Sequence, residues 1–98
     1  MRRLEIIEYS MIELIDPTGI LTGIRYEFRI YVKFDEEDEL YNEKGTGIRV
    51  IYAVDEGEGK LASYHLFDRA TEQVLDFDLE DNEIAQLAAF CEEHLEEE

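Results

Sequence analysis

Ninety-eight residues and 11.5 kDa make one domain, too short for a β/α barrel of about 250 residues. The chain is 45% hydrophobic and 11% aromatic, enough for a packed core, and its one cysteine, Cys91, can form no internal disulfide. A formal net charge of −17 argues against binding nucleic acid by phosphate neutralisation and against electrostatic attraction to anionic lipid.

The charge is uneven. Residues 1–34 carry five acids (Glu5, Glu8, Glu13, Asp16, Glu27) and five bases (Arg2, Arg3, Arg25, Arg29, Lys33) and sum to zero. The remaining 21 acids face only Lys44, Arg49, Lys60 and Arg69, so the whole −17 lies in residues 35–98. The opening Met1-Arg2-Arg3 leads into alternating residues, not the apolar stretch of a signal peptide, and no apolar run approaches the roughly 20 residues of a membrane span. With a lone thiol, this predicts a cytoplasmic protein.

Residues 4–15 predict a first strand, with a bulge or bend where the apolar parity slips near Tyr9-Ser10. Asp16-Pro17-Thr18-Gly19 suits a type I turn. Residues 24–34 form the clearest strand: Ile24, Tyr26, Phe28, Ile30, Val32 and Phe34 take one face, and Arg25, Glu27, Arg29, Tyr31 and Lys33 the other. Asp35 to Gly47 is a polar connection. Residues 48–54 and 61–67 predict two further strands around an Asp55–Lys60 hairpin loop, and a turn at 70–73 leads to a fifth strand over 74–79. Beyond Leu79 the period changes: Ile84, Leu87, Ala88, Cys91 and Leu95 recur at helical spacing, predicting a helix over about 82–95 with Asp81 or Asn82 as N-cap and a frayed acidic tail at 95–98. The expected fold is a single α+β domain over residues 1–98, a mostly antiparallel sheet of about five strands with the C-terminal helix packed on one face.

Chemistry-bearing patterns are sparse. Asp35-Glu36-Glu37-Asp38-Glu39 resembles a calcium loop only in charge, since its sixth and twelfth positions are Leu40 and Thr46 where Gly and Glu are needed. Ser63 and His65 are neighbours on one strand face rather than an activated pair, and Asp76 and Asp78 are a pair that 26 acids supply by chance. Cys91 lies on the apolar helix stripe, with Glu92 and Glu93 expected to raise its pKa. Gly45-Thr46-Gly47 and Gly57-Glu58-Gly59 lack the lysine pattern and helix of a phosphate loop. No catalytic residue, cofactor or metal ligand is assigned. The feature that stands out is the polar row Arg25, Arg29, Tyr31 and Lys33, because Arg and Tyr are enriched at interface hot spots. It predicts a non-enzymatic interaction or regulatory module that binds an unidentified protein partner, a basic one included, or itself as a homodimer. The alternatives are a divalent-cation binder or small carboxylate-based enzyme, and a nucleic-acid mimic that occupies a basic groove.

Five segments also carry a resemblance: Asp16-Pro17-Thr18-Gly19-Ile20-Leu21-Thr22-Gly23, Arg25-Tyr26-Glu27-Phe28, Ile48-Arg49-Val50-Ile51-Tyr52, Leu75-Asp76-Phe77-Asp78-Leu79-Glu80 and Phe90-Cys91-Glu92-Glu93-His94-Leu95. The chain resembles a family of short acidic uncharacterised proteins of Gram-positive spore-forming bacteria. That resemblance brings no activity and no catalytic residue. The starch-debranching name that some such proteins carry does not fit a chain with no room for the catalytic barrel.

Overall fold

The structure is a computed structural model, and it describes residues 4–14, 23–37, 41, 45–55 and 57–96. Five strands, β1 (Glu5–Leu14), β2 (Ile24–Lys33), β3 (Thr46–Asp55), β4 (Glu58–Asp68) and β5 (Val74–Leu75), precede one helix, α1 (Asp81–Glu96). The strands form one antiparallel sheet in the order β1-β2-β3-β4-β5, each beside its neighbour in sequence. This is the α+β architecture expected from the hydrophobic periods. The expected turn at Asp16–Gly19 lies outside the described residues, as does part of the Asp35–Gly47 connection.

Register aligns the apolar sets. Tyr9, Ile30, Ile48, Leu66 and Leu75 make one row across all five strands, and Met11, Phe28, Val50 and Tyr64 make the next. Because cross-strand partners share a face, these rows and the apolar stripe of α1 form one core. Phe28, Ile30, Val32, Ile48, Val50, Leu66, Leu87 and Cys91 are fully buried in it. The helix is fastened to β1 through the Leu4 backbone: Leu4 N–H donates to Gln86 Oε1 at 2.9 Å and Gln86 Nε2 donates to the Leu4 carbonyl at 2.8 Å. Lower down, Tyr9 meets Phe90 and His94 edge-on. His94 stacks on Phe90, and its Nδ1 donates to the Phe90 carbonyl at 2.8 Å, four residues back along the helix.

Four local expectations are corrected. The bulge in β1 falls at Ile7, between the pairs Ile6↔Val32 and Glu8↔Tyr31, not at Tyr9-Ser10. One extra residue there shifts the parity of everything after it, so the sequence shows the slip later than its cause. The hairpin loop is tighter than Asp55–Lys60: pairing resumes at Asp55↔Glu58, with Gly57 at φ 84° where a side chain would be strained. The fifth strand ends at Leu75 instead of Leu79. Phe77 N–H turns back to the Leu75 carbonyl at 3.0 Å and Leu79 N–H goes to the Tyr64 hydroxyl at 3.0 Å, so the ladder cannot continue although Leu79 still points inward. The N-cap is Glu80, not Asp81 or Asn82. The Glu80 carbonyl takes the first helical bonds, from Glu83 N–H at 2.9 Å and Ile84 N–H at 3.0 Å, while the buried Glu83 carboxylate accepts the Glu80 N–H at 2.9 Å. This is the reciprocal half of a capping box. At the other end the helix runs to Glu96, and the half-buried Leu95 packs on the core. No helix among the described residues is long and apolar enough to cross a membrane.

Candidate functional site on the open face of the sheet

The helix covers one face of the sheet. On the other face, the register builds four polar rows. Ser10, Arg29, Arg49 and His65 lie abreast, flanked by Ile12, Glu27, Ile51 and Ser63 on one side and by Glu8, Tyr31, Gly47, Phe67 and Val74 on the other; Leu14, Arg25, Ala53 and Lys60 follow. Every Lys and Arg among the described residues belongs to this face: Arg25, Arg29, Lys33, Arg49 and Lys60 by register, and Arg69 by its contacts with Glu8 and Tyr31. The helix, by contrast, carries no Lys or Arg and exposes Asp81, Glu92 and Glu93. The described part of a domain of charge −17 is therefore polarised, with its described cations gathered on one surface.

At the centre of that surface is a shallow cavity of about 320 Å³ lined by Glu27, Arg29, Arg49, His65, Phe67 and Glu72. Its floor is aromatic. The Phe67 ring lies flat across Gly47, where a Cβ would sit 2.2 Å from Cζ. Tyr31 meets that ring edge-on at 6.0 Å, His65 tilts against it at 6.4 Å, and the Arg29 guanidinium sits 5.9 Å from its centroid. The rim is ionic. Glu27, 8% exposed although it is a carboxylate in mid-strand, pairs with Arg49 Nε. Arg29 Nη1 reaches Glu72 Oε1 at 3.4 Å. Arg69 stacks over Tyr31 at 4.2 Å and pairs with Glu8. Arg29 and Arg49 directly opposite one another would repel, so carboxylates from outside their row, Glu27 and Glu72, interleave with the two arginines.

The residues singled out by sequence separate into two groups. Arg29 and Tyr31 belong to the cavity and its wall. Arg25, half-buried opposite Leu14 and Ala53, and Lys33, exposed opposite Glu5, stand at the two ends of β2 and are not brought into it. Arg49, Phe67 and Glu72 are not singled out by the sequence, which offers Glu27 only as part of the polar face of β2 and His65 only as a strand neighbour of Ser63. Arg49 holds the outward position between Ile48 and Val50, so alternation alone places it with Arg29's face once β2 and β3 are paired. Nothing local marks Glu72, which arrives from the β4–β5 turn.

The remaining candidates do not assemble. Among the described residues no three His, Cys, Asp or Glu side chains are placed to hold a metal ion. Asp38 and Glu39 of the acidic loop lie outside the described residues. Cys91 is fully buried and its pKa is pushed up to about 12, by burial and not by Glu92 or Glu93 as expected from the sequence. The Tyr52 hydroxyl is raised by burial first, then by Glu92 and Cys91. Gly47 and Gly59 are seats for the Phe67 and Tyr52 rings rather than parts of a phosphate loop.

No curated protein and no solved structure matches the chain. Residues 4–98 match a family of unknown function, and the chain, across both its sheet and its helix, belongs to that family, DUF6509.

Proposed function

We propose that this protein is a non-enzymatic interaction module of the bacterial cytoplasm, in a Gram-positive spore former, and that the open face of its sheet docks a second copy of the chain. The observation that carries the reading is the composition of that face. It gathers the described cations with a matching number of acids (Glu5, Glu8, Glu27, Asp55, Glu58 and Glu72), so it is close to neutral in a molecule of charge −17. Two copies meeting elsewhere bring net negative surfaces together, whereas here a two-fold axis sets opposite charges in reach of one another.

Apolar side chains interrupt the charges: Ile12 is 55% and Val74 61% exposed, and Ile51 and Leu14 are half-buried. Four long strands present about 20 Å by 30 Å, or roughly 600 Å². A standard interface takes about 800 Å² from each partner, so this face supplies most of one. The cytoplasmic placement is supported by the use of the single thiol as a core residue.

Light scattering on a sizing column tests the reading. The expected species has twice the 11.5 kDa chain mass at about 50 mM salt and persists at about 500 mM, where exposed charges are screened and only apolar contacts hold. Ile12→Lys with Val74→Lys should return it to a monomer. A wild-type monomer at both salts and at high micromolar concentration refutes self-association.

A further inference from the structure

The ionic cavity at the middle of the open face does more than decorate a docking surface. We infer that it is a carboxylate-receiving site, that Glu72 is its occupant in the single chain, and that an acidic side chain of the second copy takes Glu72's place when two copies meet. The source of the incoming carboxylate rests on the proposed self-association; the site itself does not.

The geometry supports this in three ways. First, the donors are surplus to the pairs they make. Arg29 and Arg49 each carry five N–H donors, yet Arg49 meets Glu27 through Nε alone and Arg29 meets Glu72 through one Nη1 contact at 3.4 Å, the long limit of a hydrogen bond. A guanidinium fork matches a carboxylate best with two parallel bonds at about 2.7–2.9 Å. Both arginine side chains remain about two-fifths exposed, at 43% and 41%, so an incoming carboxylate has access to them.

Second, the two carboxylates present are held very differently. Glu27 is a fixed part of the wall, its side chain 9% exposed. Glu72 is 71% exposed and hangs over the cavity from a turn. It is the only non-glycine among the described residues with positive φ, at 62°, a conformation that favours Gly or Asn. The turn is closed without the Glu72 side chain: Asp68 N–H donates to the Gln73 carbonyl at 2.9 Å, Glu72 N–H to the Asp68 carbonyl at 2.7 Å, and Asp68 Oδ1 accepts from Ala70 N–H at 2.7 Å. The carboxylate can therefore leave Arg29 while the turn stays formed.

Third, the floor suits a short acidic side chain. The Phe67 ring lies beneath the Arg29 guanidinium, 5.9 Å from it, and as part of the cavity lining offers apolar contact to the methylenes of a Glu or Asp.

The test uses the full chain and two readouts. Glutarate is titrated against dilute protein at matched ionic strength, and the Arg side-chain N–H and His65 ring resonances are followed. In parallel, the dimer constant is measured by sedimentation for wild type, Glu72→Gln, Arg29→Gln and the double variant. Glu72→Gln should strengthen both glutarate binding and dimerisation about three- to tenfold by emptying the site, as expected for removing a weak competing ion pair. Arg29→Gln should weaken both, and in its background Glu72→Gln should change neither. If glutarate moves the arginine resonances, more strongly in Glu72→Gln, while the chain stays monomeric, the carboxylate site stands and the second copy is excluded as its source. Unchanged resonances in wild type and Glu72→Gln up to tens of millimolar glutarate overturn the site, even where the dimer is found. A dimer constant indifferent to Glu72→Gln, with glutarate binding intact, overturns the exchange.

Discussion

Gly47 is occupied by its neighbour's side chain, and this gives the sharpest prediction. A Cβ at this position would stand 2.2, 2.5 and 2.6 Å from Cζ, Cε2 and Cε1 of Phe67, so Gly47→Ala must lift the ring off the sheet. The face is open, so the ring escapes outward and the cost is its lost burial. Phe67 is 6% exposed, and exposing a buried Phe side chain costs about 1.5–3 kcal/mol. Its edge contact with Tyr31 contributes further, so the expected loss is about 2–3 kcal/mol. In a domain of this size that lowers Tm by about 10–20 °C. Gly47 itself has no positive φ, and Ala is the better strand residue by about 0.5–1 kcal/mol. The sign should therefore invert once the ring is gone: in a Phe67→Ala background, Gly47→Ala should be neutral or slightly stabilising. Urea unfolding of the four proteins closes the double-mutant cycle. Equal destabilisation by Gly47→Ala in both backgrounds would refute the argument, since the cost would then lie in the backbone.

Three further outcomes follow from the same physical reasoning. Cys91 has its pKa raised to about 12 in the fold against an ordinary 9, so its contribution to stability is whole below pH 9 and is lost as pH climbs toward 12. Tyr52, also raised, adds to the loss with the same sign, and chemical unfolding across that range should show Cys91→Ala flattening part of the slope. Arg49→Leu should cost about 1–3 kcal/mol because it strands the Glu27 carboxylate against the sheet, while Glu27→Leu should cost less than about 1 kcal/mol because Arg49 is 41% exposed and reaches water; equal costs in thermal melts would count against this asymmetry. Glu83→Ala removes the acceptor of the Glu80 N–H at the helix start and should cost about 1–2 kcal/mol, read by circular dichroism at the melting midpoint.

The order of elements, the faces of β2 and β3 and the helix stripe are legible in one dimension, because strand and helix periods differ and each apolar set must be buried on one side. So are the charge imbalance and the inward place of Cys91. What the sequence leaves open is set by pairing. Arg29, Arg49 and His65 are separated by 20 and 16 residues and become a single row only through the β2–β3 and β3–β4 registers. Gly47 reads as a loop glycine until Phe67 is laid over it. Glu72 gains significance only because a turn with positive φ hangs its carboxylate above Arg29. The end of β5 at Leu75 is likewise a tertiary decision: Asp76 to Leu79 keep the strand alternation, but a tight turn and the Tyr64 hydroxyl take the backbone N–H groups that a ladder would need. Local periodicity reports which side of an element is buried; it carries no information about which strands stand abreast, and here the candidate site is made of that adjacency.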